Sequence, residues 1–186
     1  KEKIIALFNK NVKGKRADTS RMNVDHDGKG GHWLERMMGV KANASNSPDL
    51  YGYEMKNHTG SKTTFGDWSA DSYIYKDKDY NFTRDNFLAF FGQPNKKKGG
   101  RLSWSGKPAP VIKKINQFGQ ILLIDQNSNI LAQYNFSKDQ RKEKFSIIPA
   151  NLQIDNLTIA LWKKESLKKK LEKKFNQKGW FKCIKN

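Results

Sequence analysis

Residues 47–58 read SPDLYGYEMKNH, and the rest of the chain is best understood around them. Asp49 is followed by four residues, then Glu54, one spacer and Lys56. Tyr51, Tyr53 and Met55 suit a pleated, half-buried surface, so residues 50–55 are expected to form a strand. Side chains two apart on a strand share a face. Glu54 and Lys56 therefore project together, toward the space that Asp49 reaches from the strand entrance. Two carboxylates are the hard oxygen ligands that Mg²⁺ prefers, and such sites leave room for waters and phosphate oxygens. A lysine beside them can orient or deprotonate a water, or stabilise charge on a phosphate. The set suits metal-assisted phosphodiester hydrolysis. The same residues also suit a plainer arrangement, a turn at Ser47, Pro48 and Asp49 feeding a strand with a solvent-facing Glu–Lys pair.

The chain has 186 residues, which suits one domain with a real core. Hydrophobic residues make up only 36%, but aromatics reach 12%, which argues against disorder throughout. Against 18 acidic residues stand 36 basic ones, a net charge of +18. That excess favours a polyanionic partner, either nucleic acid or an anionic membrane surface. No apolar run approaches the roughly 20 residues needed to cross a bilayer, and no signal-like amino-terminal segment is visible. Cys183 is the single cysteine. It cannot make an internal disulfide and fits a reducing compartment. One cysteine and three histidines give no zinc pattern.

Upstream of the motif, Ile4, Ile5, Leu7 and Phe8 mark a short amphipathic helix. Residues 12–28 are basic and punctuated; they read either as a loop ordered by DNA or as an ordinary solvated loop. Gly30 and Gly31 then release a helix over residues 32–38, stopped by Gly39. Trp33, Leu34, Met37 and Met38 form its apolar face. Glu35 borders that face, roughly 100° from Leu34. At such a border an acid points into a neighbouring site, stays solvated or pairs along the helix.

Downstream, His58 has the strand parity of Glu54 and Lys56, so it faces either the site or the surface. Lys62 lies in a small polar loop suited to a phosphate contact or a plain turn. Tyr73, Ile74 and Tyr75 suggest a strand, and residues 83–91 a helix whose phenylalanines are core. Residues 93–110, QPNKKKGGRLSWSGKPAP, suit a DNA-contacting loop. In it Lys96, Lys97 and Lys98 would hold phosphates and Arg101 would read guanine edges. The same run also suits a flexible solvated hairpin tip. Residues 119–136 are the clearest hairpin, with its turn at Asn127, Ser128 and Asn129. Residues 145–148 and 157–162 read as further strands. Residues 163–178 form a strongly basic helix in which Leu167, Leu171 and Phe175 make the packing stripe. Its lysines suit a DNA backbone, a solubilising face or a membrane surface. Residues 180–184 suggest a last strand.

Taken together, GKGGHWLERMMG followed by SPDLYGYEMKN resembles the PD-(D/E)xK nuclease superfamily. Within it the chain is most similar to the branch that holds the mismatch-repair nicking enzyme MutH and the restriction endonucleases MvaI, BcnI and LlaMI. The four-residue gap between Asp49 and Glu54 resembles the restriction-enzyme side of that branch. The likeness extends through FLAFFGQP and RLSWSGKPAP, so it covers about residues 1–135.

The resemblance implies an α/β fold, a restriction-endonuclease-like central mixed β-sheet flanked by helices, with the site at one sheet edge. It implies a single nuclease domain over 1–186, with the catalytic motif in 1–62, a DNA-contacting loop in 93–110 and a basic helix in 163–178. It assigns Asp49 and Glu54 to Mg²⁺, Lys56 to the attacking water, and Glu35 to support of the metal site or the lysine. It implies a type II restriction endonuclease in the bacterial cytoplasm, a monomer acting on double-stranded DNA at a CC-N-GG type site, with no membrane partner. A cognate DNA methyltransferase would belong to the same system without touching the chain. Two alternatives stand beside this: a MutH-like mismatch-repair nicking endonuclease, and a non-catalytic basic DNA-binding protein.

Overall fold

The computed structural model describes residues 1–20, 28–40, 47–57, 68–96 and 99–184. Their elements run α1 (Glu2–Asn11), α2 (Lys29–Met37), β1 (Glu54–Asn57), β2 (Ser72–Tyr73), α3 (Arg84–Phe91), β3 (Gln93–Pro94), β4 (Leu102–Ser103), β5 (Phe118–Ile124), β6 (Ile130–Asp139), α4 (Lys144–Ile147), β7 (Leu157–Trp162), α5 (Lys164–Phe175) and β8 (Trp180–Cys183). The α/β class expected from the sequence holds. Parallel and antiparallel pairing are both present, in separate sheets among the described residues. The chain divides into two compact units, Lys1–Asp67 with Lys168–Asn186, and Trp68–Leu167.

In the first unit, β1 pairs with β8 in parallel, Glu54 opposite Trp180 and Lys56 opposite Lys182. A parallel pair cannot be closed by a tight turn, and here its two strands are separated in sequence by the whole second unit. Ile4, Val12, Trp33, Leu34, Met38, Leu50, Met55 and Cys183 form one buried cluster. Asn11 Nδ2 donates to the Met37 carbonyl at 3.1 Å, tying α1 to the end of α2. The Cys183 thiol is pushed up by burial, as expected for a small apolar core residue.

The strand expected over 50–55 starts later. Tyr51 and Gly52 take φ values of 51° and 85°, which turns the chain instead of extending it. Leu50 and Tyr53 close that turn with reciprocal backbone bonds of 2.9 and 2.8 Å. Extended pairing begins at Glu54, so the shared face of Glu54 and Lys56 survives the shift.

The second unit is built on an antiparallel sheet of order β2-β7-β6-β5. The β5–β6 hairpin turns where the sequence places it. Asp125 Oδ1 accepts the Asn127 and Asn129 amides, each at 2.8 Å, and Ser128 adopts φ 62°. Hydrogen bonds from Asn129 hold the Asp125 carboxyl below its ordinary value. Gly119 sits in a bulge of β5 at φ +69°, where a Cβ would collide with the Asn135 carbonyl.

Helix α3 begins with a capping box between Thr83 and Asn86. Its Phe87, Leu88 and Phe91 join Tyr134, Ile148, Leu152 and Ile159 in the core, and the Phe91 and Tyr134 rings lie 5.1 Å apart. The Tyr134 hydroxyl donates to Asp139 Oδ2 at 2.9 Å, and Arg141 Nη2 closes on the same oxygen at 2.6 Å. Burial, with the Asp139 charge beside it, pushes the Tyr134 phenol well above its ordinary value.

Two expectations fail here. Tyr73 ends β2, and Ile74–Lys76 turns into a 3₁₀ segment. Residues 145–148 are not a strand, because α4 spans Lys144–Ile147. Ser146 Oγ donates to the Glu143 carbonyl at 2.8 Å and Lys144 Nζ to the Phe136 carbonyl at 2.9 Å. The Ile147 and Ile148 amides close the turn on the Glu143 and Lys144 carbonyls at 3.0 and 2.9 Å, a helical turn that a four-residue run cannot signal.

Candidate active site

Asp49 lies in the turn before β1, and its Oδ2 accepts the Met55 amide at 2.9 Å. That bond fixes the Asp49 carboxylate beside the first peptide of the strand. Glu54 opens the strand and is 2% exposed. A buried carboxylate is tolerated only when paired, and Glu54 is paired twice. Lys56 Nζ lies 2.8 Å from its Oε1. Lys174 Nζ, reaching in from α5, lies 3.4 Å from the same oxygen. Lys56 also sits 5.6 Å above the Phe175 ring, a cation–π contact that holds the ammonium against an apolar wall.

The other carboxylate oxygen, Glu54 Oε2, is buried and has no hydrogen-bond partner among the described residues. An orphaned buried anionic oxygen is costly, and it has the chemistry of an oxygen ligand for a hard divalent cation. Among the described residues no three His, Cys, Asp or Glu side chains gather as a metal group. Glu54 Oε2 is thus the one oxygen of this region with ligand chemistry and no partner among the described residues.

Glu35, Asp49 and Glu54 do not gather as one three-acid group among the described residues. Its Oε2 accepts from His32 Nδ1 at 3.2 Å, with 38% of the Glu35 side chain exposed. Of the expected DNA contacts, Lys96 and Arg101 are exposed. His58, Lys62, Lys97 and Lys98 lie outside the described residues.

Lys174 is the residue that sequence reasoning missed. Its signal was present: it stands three residues after Leu171 and seven after Leu167, on the helix face assigned to packing. A lysine on an apolar stripe asks for a buried partner, and Glu54 is that partner.

Comparisons with known proteins place the chain in a family. The model of a family described as LlaMI restriction endonuclease matches residues 12–186. The type II restriction enzyme ScrFI of Lactococcus lactis subsp. cremoris is 47% identical over 203 residues, covering 98% of this chain and 75% of that enzyme. A solved complex of the restriction endonuclease MvaI with its cognate DNA substrate is similar in fold, with a TM-score of 0.59 at 15% identity. That match covers 93% of this chain but 62% of the MvaI chain, so this chain spans less than two thirds of it. With a family match that runs through both units, and near-half identity to a type II restriction enzyme, the chain belongs to the LlaMI restriction endonuclease family.

Proposed function

We propose that the chain is a type II restriction endonuclease that hydrolyses phosphodiester bonds at specific sites in double-stranded DNA, with Mg²⁺ as its cofactor. The observation that carries this reading is Glu54, a buried carboxylate with one oxygen paired to lysines and the other left without a partner. Asp49 and Glu54 are the residues that would hold the ion, Glu54 through Oε2. Bound there, Mg²⁺ would polarise the phosphate and offset the extra negative charge of the transition state. An ammonium has three donors. Lys56 spends one on Glu54 Oε1, which leaves others to orient the attacking water or meet a phosphate oxygen. Glu35 supports the site from α2, and in that role its carboxylate exchanges His32 for the site.

The net charge of +18 supports a duplex as the polyanionic partner. Exposed Lys96 contacts phosphate and exposed Arg101 reads base edges, with His58, Lys62, Lys97 and Lys98 as further DNA contacts. The family match over residues 12–186 supports treating 1–186 as one nuclease domain. By kinship, the protein acts as a monomer in the bacterial cytoplasm, at a CC-N-GG type site, alongside a DNA methyltransferase that does not touch it.

Incubating supercoiled plasmid with the chain tests this reading. In Mg²⁺ the plasmid is cut into discrete fragments; EDTA stops cutting, and Lys56→Ala binds the plasmid but does not cut it. If wild type and Lys56→Ala bind alike and neither ever cuts, the chain is a basic DNA-binding protein instead. Cutting of one strand that requires a second protein points to a repair nickase.

A further inference from the structure

We propose that Lys174 is a further positioning residue of this centre, a built-in counter-ion that holds Glu54 before a divalent ion arrives and opposes that ion's entry. The inference rests on the reading of Glu54 as a metal ligand. Three observations carry it. Glu54 is 2% exposed, so its charge needs compensation inside the protein. Lys56 Nζ and Lys174 Nζ share one oxygen, Oε1, at 2.8 and 3.4 Å, although one ammonium suffices to neutralise one carboxylate. The second oxygen, Oε2, is buried and unpartnered among the described residues.

The two lysines differ in origin. Lys56 comes from the same strand as Glu54, two residues on, and travels with it. Lys174 comes from α5, a separate element, so its ammonium can leave Glu54 for an incoming phosphate without moving the strand that carries the carboxylate. With Asp49 and Glu54 ionised and both lysines charged, the four side chains sum to zero. Adding a divalent cation makes the cluster doubly positive until a phosphate arrives. Lys174 therefore weakens metal binding in the absence of DNA, because a like charge sits a few ångströms from the ligand oxygen. A DNA phosphate relieves this by drawing the Lys174 ammonium to itself. The metal and the substrate would thus load together, which protects against idle metal occupancy.

The test measures Mn²⁺ affinity by electron paramagnetic resonance, without DNA, and melting temperature in EDTA. Lys174→Met is expected to bind Mn²⁺ about tenfold more tightly than wild type, an order-of-magnitude figure for removing a nearby like charge. It is also expected to melt at a lower temperature in EDTA, with excess Mn²⁺ restoring the loss. Lys174→Arg, which keeps the charge, stays near wild type in both measurements. Should Lys174→Met not fold, Lys174→Gln removes the charge while keeping a donor for Oε1, and the same tightening is expected. Unchanged or weaker Mn²⁺ affinity in a folded neutral variant overturns the inference. Glu54→Gln separates the two levels of argument. If it abolishes Mn²⁺ binding while neutral variants at 174 leave affinity unaltered, only the role of Lys174 fails. If Glu54→Gln binds Mn²⁺ as well as wild type, Glu54 is no ligand and the metal-site reading fails with it.

Discussion

Replacing Lys56 by methionine keeps an unbranched apolar stem one atom shorter and removes the charge. Two effects follow, and the structure sets the size of each. Lys56 Nζ lies 2.8 Å from Glu54 Oε1, with 17% and 3% of the two side chains exposed. Removing one partner of a buried ion pair costs about 3–5 kcal/mol when the other charge is left alone. Glu54 is not left alone, because Lys174 Nζ remains 3.4 Å from the same oxygen. The cost is accordingly closer to that of one charge-assisted hydrogen bond, about 1–3 kcal/mol. For a chain of this length that lowers the melting temperature by roughly 2–12 °C, so the variant stays folded at room temperature. The chemical step suffers more. Losing a group that positions or activates water lowers the rate by about 10²- to 10⁴-fold, equivalent to roughly 3–5 kcal/mol of barrier. Calorimetry of the variant and single-turnover cleavage of plasmid DNA read the two effects separately. Cleavage within about threefold of wild type would refute the reasoning, and would mean that Lys56 is only a counter-ion for Glu54.

Four further outcomes follow from the second unit and from the charge of the surface. Arg141→Met leaves Asp139 buried with only the Tyr134 hydroxyl and the residue-141 amide as the partners described for it; a loss of about 3–5 kcal/mol is expected in chemical denaturation. Gly119→Ala requires a positive φ and collides with the Asn135 carbonyl; it should cost about 1–3 kcal/mol and loosen the β5–β6 hairpin, seen as faster amide exchange there. The Tyr134 phenol is held above its ordinary value in the fold. Its contribution is complete below the ordinary tyrosine value, about pH 10, and is lost as pH rises from there toward the folded value. Alkaline denaturation curves of wild type and Tyr134→Phe should therefore converge as pH climbs above about 10. Finally, if Lys96 neutralises a phosphate, Lys96→Ala reduces the slope of log binding constant against log salt by about 0.9 in duplex-binding titrations.

The candidate site was partly legible in the sequence. Glu54 and Lys56 could be read as neighbours because strand parity fixes which side chains share a face, and the structure pairs them although β1 begins at Glu54. The turn that delays it depends on left-handed backbone at Tyr51, a conformation a tyrosine does not advertise. The β5–β6 hairpin was legible because alternation, a run of turn residues and matching strands agree. Helix α4 was not, since its four residues carry no period. Lys174 was hidden for a different reason. Its helix is rich in lysine, and only the spacing to Leu167 and Leu171 separates it from the solvated ones. Glu35 at the border of the apolar face takes the helix-paired arrangement, bonded to His32 one turn before it.

Crystals of the chain grown with Mn²⁺ and examined by anomalous scattering test the central claim most directly. The account predicts one Mn²⁺ peak bound by both Asp49 and Glu54, with Glu54 contributing Oε2 and Lys56 beside it. A fully occupied ion elsewhere, with the carboxylates of Asp49 and Glu54 still empty and Glu54 still closed on its lysines, would contradict it.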